Sequence, residues 1–348
     1  MDTVQGIPTT LFTGFFGVGK TTTIKSMLER KPSGERWAIL VNEFGDVSVD
    51  RMVMDNGFPD DGVVIQDIPG GCLCCMVNLT LESAIKGILG RVKPDRLLIE
   101  PTGMGHPAGI VEELRNLEIS NLIKLKAIIC LVDPRRALDP RIQEVKCFKD
   151  QINMADVLVA SKADIADLDQ LITYREWAHK LLPPKLKILE AQNGDLDLSL
   201  LELDSKTERT SLFPSVGDEI RSSKRLLQGS LQVKPGNPQR FENSGAGYQG
   251  CGWIFSLEDT FNREGLLNFL SSPFLLGLEK GFTIERLKGV FRVEDGWVLV
   301  DRVDDEIYVS EMDCRNGSRV ELIAKENLDI DWVAIEGQFL GFIIPHSF

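Results

Sequence analysis

The chain has 348 residues, 43% of them hydrophobic, which is length and apolar content enough for two domains with cores. Its formal net charge of −13 repels phosphate backbones and anionic lipid, so nucleic acid and membrane partners are disfavoured. No stretch approaches the roughly twenty apolar residues that a bilayer span needs.

The first apolar run, Thr9 to Phe16, leads straight into a glycine-rich loop and leaves no room for a signal peptide. The expected compartment is therefore the cytosol, where thiols stay reduced. Up to about Ala191, short apolar runs alternate with helical patterns. Thr9–Thr13, Trp37–Val41, Val63–Ile65, Arg96–Ile99, Lys126–Val132, Val157–Ala160 and Leu186–Leu189 are predicted strands. Several are apolar throughout, as when both faces of a parallel sheet are covered. Ile24/Met27/Leu28 and Leu81/Ile85/Ile88/Leu89/Val92 repeat at helical spacing. This alternation predicts an α/β domain, doubly wound on a mostly parallel sheet, over residues 1–204. Residues 205–246, rich in Ser, Gly, Pro and charge, are predicted as a linker with room for one short element. Residues 247–348 carry a denser strand order, Gly252–Phe255, Leu287–Val293, Trp297–Val300, Ile307–Ser310 and Arg319–Ile323, with helical patterns near Glu264–Leu270 and Trp332–Phe342. That grouping predicts a smaller α+β domain.

Gly14-Phe15-Phe16-Gly17-Val18-Gly19-Lys20-Thr21, followed by Thr22, fits the Walker A pattern, with a strand before it and a helix after it. Its glycines let successive N–H groups point at phosphate oxygens, and the helix aims its positive end at the same charge. Lys20 is the expected β/γ-phosphate and catalytic contact, and the Thr21 hydroxyl an expected Mg²⁺ ligand. Arg96–Ile99 ends in Glu100-Pro101-Thr102-Gly103. A carboxylate at the carboxyl end of a neighbouring strand can hold Mg²⁺ or its water, so Glu100 is the second catalytic and Mg²⁺ candidate. Gly103 can offer an N–H to the γ-phosphate. Asp46 and Asp50, in the expected first switch, are further Mg²⁺ candidates.

Val157–Ala160 runs into Ser161-Lys162-Ala163-Asp164. A carboxylate there accepts from guanine N1 and N2, a pattern adenine lacks. Ser161, Lys162 and Asp164 are thus base-reading candidates for GTP, and a second loop, Ala191-Gln192-Asn193-Gly194-Asp195, can close over the base. Gly70-Gly71-Cys72-Leu73-Cys74-Cys75 lies between the two expected switches. Three sulfurs that close, before a helix N-terminus, suit a soft or borderline cation such as Zn²⁺, with a fourth ligand from elsewhere. Cys130 sits in an apolar run and is expected core. Cys147, Cys251 and Cys314 are isolated and more often structural.

Together these motifs resemble the CobW-like P-loop GTPases, related to the nickel chaperones of hydrogenase and urease, and within them the YeiR type of zinc-binding GTPase. The residues that carry the resemblance are Gly14–Thr22, Asn42–Val47, Gly70–Cys75, Glu100–Pro107 and Ser161–Asp164, with Gly247–Phe255 and Leu287–Val290 in the second domain. It implies GTP hydrolysis coupled to zinc delivery to a client metalloprotein, and is compatible with a nucleotide-dependent homodimer. Three places depart from the family pattern. Ser161 replaces the usual Asn, the chain has only three His, and Val41 stands where some members place Glu. A zinc-responsive sensor with weak turnover, or a small-molecule kinase, are the competing readings.

Overall fold

The computed structural model describes residues 6–41, 62–67, 79–103, 107–205, 233–245, 247–272, 284–303, 306–312, 317–325 and 328–345. These fall into two compact units, one within 6–205 and one within 233–345.

The first unit is an eight-stranded sheet. Its strands are β1 (Ile7–Thr13), β2 (Trp37–Val41), β3 (Val63–Asp67), β4 (Arg96–Glu100), β5 (Ile123–Leu125), β6 (Ile129–Val132), β7 (Val157–Ala160) and β8 (Lys187–Glu190). The order is β3-β2-β4-β1-β6-β7-β8, with β5 also pairing β1, and every pairing is parallel. β2, β4, β6 and β7 are buried along their whole length. Their unbroken apolar runs follow from that: a strand covered on both faces has no solvent side for a polar residue. On one face Leu11, Ala38, Leu97 and Ile99 pack against helices α2 (Leu79–Val92) and α3 (Pro107–Ile119) through Ile85, Ile88, Ile110 and Leu114. Burial of each of these Leu and Ile side chains contributes about 1.5–3 kcal/mol.

The run Lys126–Val132, expected as one strand, is a strand only from Ile129 to Val132 (β6), and β5, just before the run, was not expected. β5 pairs with Ile7–Thr9 of β1, and β6 with Phe12 and Thr13. Lys126 stands between β5 and β6, and as a buried ammonium it must find partners. Its Nζ donates to Asp204 Oδ1 at 2.8 Å and to the Glu202 carbonyl at 3.2 Å. The next N–H, that of Ala127, leaves the ladder for the Leu203 carbonyl at 2.8 Å.

The second unit is an antiparallel six-stranded sheet in the order β13-β12-β11-β14-β10-β9. Its strands are β9 (Gln239–Gly245), β10 (Tyr248–Ile254), β11 (Ile284–Val293), β12 (Gly296–Val303), β13 (Glu306–Glu311) and β14 (Arg319–Lys325). β9 lies in the interval expected to be linker. Seven residue pairs join it to β10, from Tyr248↔Gly245 to Ile254↔Gln239, so the second sheet starts before residue 247. Its length was hidden by polar residues facing outward on an edge strand. The core on one face is aromatic: Trp253, Phe255, Phe261, Phe291 and Phe339 are all buried, with rings 5–6 Å apart in mainly edge-on contacts.

Candidate functional site

The carboxyl ends of β1, β4, β6, β7 and β8 meet at one edge of the first sheet, the place where an open parallel α/β sheet binds ligands. At the end of β1 the chain turns through Gly14, with φ 140. A side chain there would put its Cβ 2.4 Å from the Leu131 carbonyl oxygen, so only glycine lets the loop leave the sheet at this point. Phe15 and Phe16 stack on each other at 4.2 Å and turn their rings inward, and Phe148 meets Phe15 edge-on at 6.2 Å. Gly19 precedes helix α1 (Lys20–Glu29), which has no side-chain cap. Its first N–H groups thus remain available to an anion.

Two contacts define the chemistry at this helix start. Lys20 is buried, and its Nζ donates to the Gly14 carbonyl at 2.9 Å and the Phe15 carbonyl at 3.3 Å, folding the ammonium back over its own loop. Thr21 Oγ1 donates to Glu100 Oε1 at 2.8 Å, with both side chains buried. Thr21 and Glu100 are 79 positions apart. They meet because β4 lies beside β1 and both end at the same edge. An octahedral Mg²⁺ at about 2.1 Å from each oxygen holds neighbouring ligands about 3 Å apart, so this pair of hard oxygens fits that cation. Gly103, three residues beyond Glu100, packs on the loop so tightly that a Cβ would sit 2.5 Å from Phe16 N.

The base-reading candidates form a second cluster. Ser161 N–H donates to the Val132 carbonyl at 2.9 Å, Ala163 N–H to the Ala191 carbonyl at 3.0 Å, and Ala191 N–H to the Ala160 carbonyl at 2.8 Å. Lys162 adopts φ 54, a left-handed turn that swings its side chain out of the strand line. Asp164 Oδ1 accepts from Asn193 N–H at 3.3 Å. Gly194, at φ 75, lies against the backbone of Thr22 and Thr23, which joins this second loop to the start of α1. The phosphate loop and both base loops are therefore one packed body. The Ser161 hydroxyl is 3% exposed at the residue level and has no hydrogen-bond partner among the described residues.

Two residues not singled out from the sequence also stand here. Asp133, at the end of β6, is buried and accepts from Arg135 at 2.6 Å, and the Lys162 ammonium lies 4.0 Å away. Gln151 Nε2 donates to the Gly103 carbonyl at 2.9 Å. An Asp at a strand end following Ile129–Val132 is the same pattern that picks out Glu100, and could have been found; Gln151 carries no linear signal.

Asp46, Asp50, Cys72, Cys74 and Cys75 lie outside the described residues, as does Cys314. Cys130, Cys147 and Cys251 are free and buried. Burial pushes the Cys130 and Cys147 thiols up to about 12, and the Cys251 thiol up as well, which favours the protonated form. Among the described residues no three His, Cys, Asp or Glu gather as a metal site, and no helix is long and apolar enough to cross a membrane.

A strand, a glycine loop, a buried Lys–Thr pair at a helix start and a carboxylate from the adjacent strand define a P-loop nucleotide-binding protein. Residues 8–190 match the model of the CobW/HypB/UreG nucleotide-binding domain, and residues 251–343 match the CobW C-terminal domain of cobalamin synthesis proteins. The chain is 34% identical over 337 residues to the zinc chaperone YeiR of Escherichia coli (strain K12), covering 95% of this chain and 97% of that one. It is 30% identical over 236 residues to the zinc chaperone CobW of Pseudomonas aeruginosa, 60% of this chain and 63% of that one. A crystal structure of the Zn(II)-bound YjiA GTPase from E. coli aligns over 97% of this chain and 99% of its own, with 21% identity and a TM-score of 0.41. The chain belongs to the CobW/HypB/UreG family, and by that membership it is a P-loop GTPase.

Proposed function

We propose that this GTPase is a zinc metallochaperone, in which GTP binding and hydrolysis govern delivery of Zn²⁺ from Cys72, Cys74 and Cys75 to a client metalloprotein. One observation carries the coupling. In the sheet, Val41 of β2 is level with Asp67 of β3 on one side and with Glu100 of β4 on the other. The chain that holds the three cysteines therefore leaves β3 at the nucleotide edge, two strand spacings, about 10 Å, from the strand end that carries Glu100. The relatives named above as zinc chaperones support the metal and the role.

In this reading Gly14–Thr22 cradle the phosphates. The Lys20 ammonium exchanges its two carbonyl partners for β- and γ-phosphate oxygens. Thr21 and Glu100 hold Mg²⁺, which neutralises charge on the phosphates when bound. Glu100 also aligns the attacking water. Asp46 and Asp50 of the first switch are further oxygen donors. Asp164 and Lys162 read guanine with Ala191 beside them, and the buried Ser161 hydroxyl gains a partner in the occupied pocket, which offsets an orphan cost of about 1–3 kcal/mol. Residues 1–204 carry this chemistry. The protein works in the cytoplasm, where the thiols stay reduced.

The test is zinc affinity, measured against a competing chelator, in the nucleotide-free, GDP and GTP-analogue states. The expected difference between nucleotide states is about 5- to 150-fold, tighter with the GTP analogue, and zinc then alters GTP affinity by the same factor. Three equal affinities would leave a structural zinc site beside an uncoupled GTPase.

A further inference from the structure

Helix α5 (Lys146–Met154; α4 is the short Pro140–Gln143) turns Cys147, Phe148, Ile152 and Met154 into the core of the first unit. Gln151 lies among them with no exposure at all. A buried amide is costly unless its groups are hydrogen bonded, so its partner is informative. One partner is a backbone carbonyl 48 positions away: Nε2 donates to Gly103 O at 2.9 Å. Gly103 itself is pressed on the phosphate loop, where a Cβ would meet Phe16 N at 2.5 Å and Phe16 Cα at 2.6 Å. Helix, turn and loop thus converge on one residue, Gly103.

We infer that Gln151 is a positioning residue for hydrolysis: it holds the Gly103 turn against the phosphate loop so that the Gly103 N–H is presented to the terminal phosphate. This rests on Gly103 as the γ-phosphate donor. Phe16 blocks the turn from moving inward, and the amide of Gln151 keeps it from drifting outward. Only a triphosphate places an oxygen there. Loss of the tether therefore weakens GTP and leaves GDP alone, a distinction that general destabilisation does not produce.

The experiment compares Gln151→Leu, Gln151→Glu and Gly103→Ala with wild type, using a non-hydrolysable GTP analogue, GDP and steady-state turnover. For Gln151→Leu, analogue affinity is expected to fall about tenfold, the worth of an ordinary hydrogen bond, with GDP affinity within about twofold of wild type. Gln151→Glu sets a carboxylate against a carbonyl at pH 8 and regains a donor when protonated, so its loss relative to wild type shrinks toward pH 6. This second variant decides the matter where Gln151→Leu does not fold. Equal weakening of GDP and analogue, or no weakening, in the Gln151 variants overturns the inference. If Gly103→Ala still weakens the analogue selectively, the Gly103 reading survives that failure. If Gly103→Ala leaves analogue affinity at the wild-type level, the Gly103 reading falls and the inference with it.

Discussion

The Thr21 hydroxyl and the Glu100 carboxylate lie 2.8 Å apart, buried together where helix α1 begins. Neither side chain reaches this position through local sequence. One follows β1 and the other ends β4, and the contact exists because those strands are neighbours. Glu100→Gln keeps the shape and removes the charge that, in the proposed function, orients Mg²⁺ and water. Turnover is expected to fall at least tenfold, about 1.4 kcal/mol of barrier, with guanine preference intact. Single-turnover kinetics check this, and a wild-type rate removes Glu100 from the hydrolysis step.

Lys20→Ala deletes the one side chain of the loop whose cation can follow charge onto the β- and γ-phosphates. Hydrolysis is expected to be abolished and triphosphate affinity reduced. Nucleotide titration and phosphate release measure both. Retained turnover would show that the backbone N–H groups suffice.

Asp164→Asn converts the proposed acceptor for guanine N1–H and N2–H into a mixed donor and acceptor. Preference is expected to move from guanine toward xanthine nucleotides, while the backbone contact from Asn193 at 3.3 Å can persist through the amide oxygen. Competition between GTP, XTP and ATP reads this out. Equal binding of ATP and GTP by the wild type would remove the base-reading role.

Zinc is expected to protect Cys72, Cys74 and Cys75 from alkylation, and its affinity to rise with pH as those thiols lose protons. Cys130, Cys147 and Cys251 are expected to react only on unfolding, with or without metal, because each is buried. Mass mapping after timed alkylation separates the two groups. Zinc protection of all seven cysteines, or of none, contradicts the site.

Stability is expected to depend on pH through the buried thiols. The ordinary thiol value is 9.0, and burial holds native Cys130 and Cys147 at about 12. Above pH 9 the unfolded chain loses protons that the native chain keeps. The stabilisation is therefore full below pH 9 and is lost as pH rises toward 12, by about 1.4 kcal/mol per pH unit for each thiol. Denaturant unfolding at pH 8, 9 and 10 measures the slope, which Cys130→Ala or Cys147→Ala makes shallower. An unchanged slope in both variants would assign the dependence to other groups.

Much of the fold was legible in the chain because its signals are local. β2 and β7 begin and end where the apolar runs do. Helix α6 (Leu168–His179) went unread although Asp167 and Gln170 form a capping box, since its exposed face carries Leu168 and Ile172 and blurs the apolar stripe. β5 went unread because it is only three residues long, and the expected strand before Ile129 began too early because Lys126 turns to Asp204 rather than extending β6.

By itself the sequence determined the phosphate loop and the carboxylate at a strand end, and it marked the base-reading and cysteine motifs as candidates. Each is a short contiguous pattern that spacing alone makes legible. Tertiary structure decided which of these patterns meet. Strand order in a parallel sheet is set by crossover connections and long-range packing, which leave no periodic trace in the chain. That order brings Glu100 to Thr21, levels the end of β3 with the end of β4, and lets α5 carry Gln151 to Gly103.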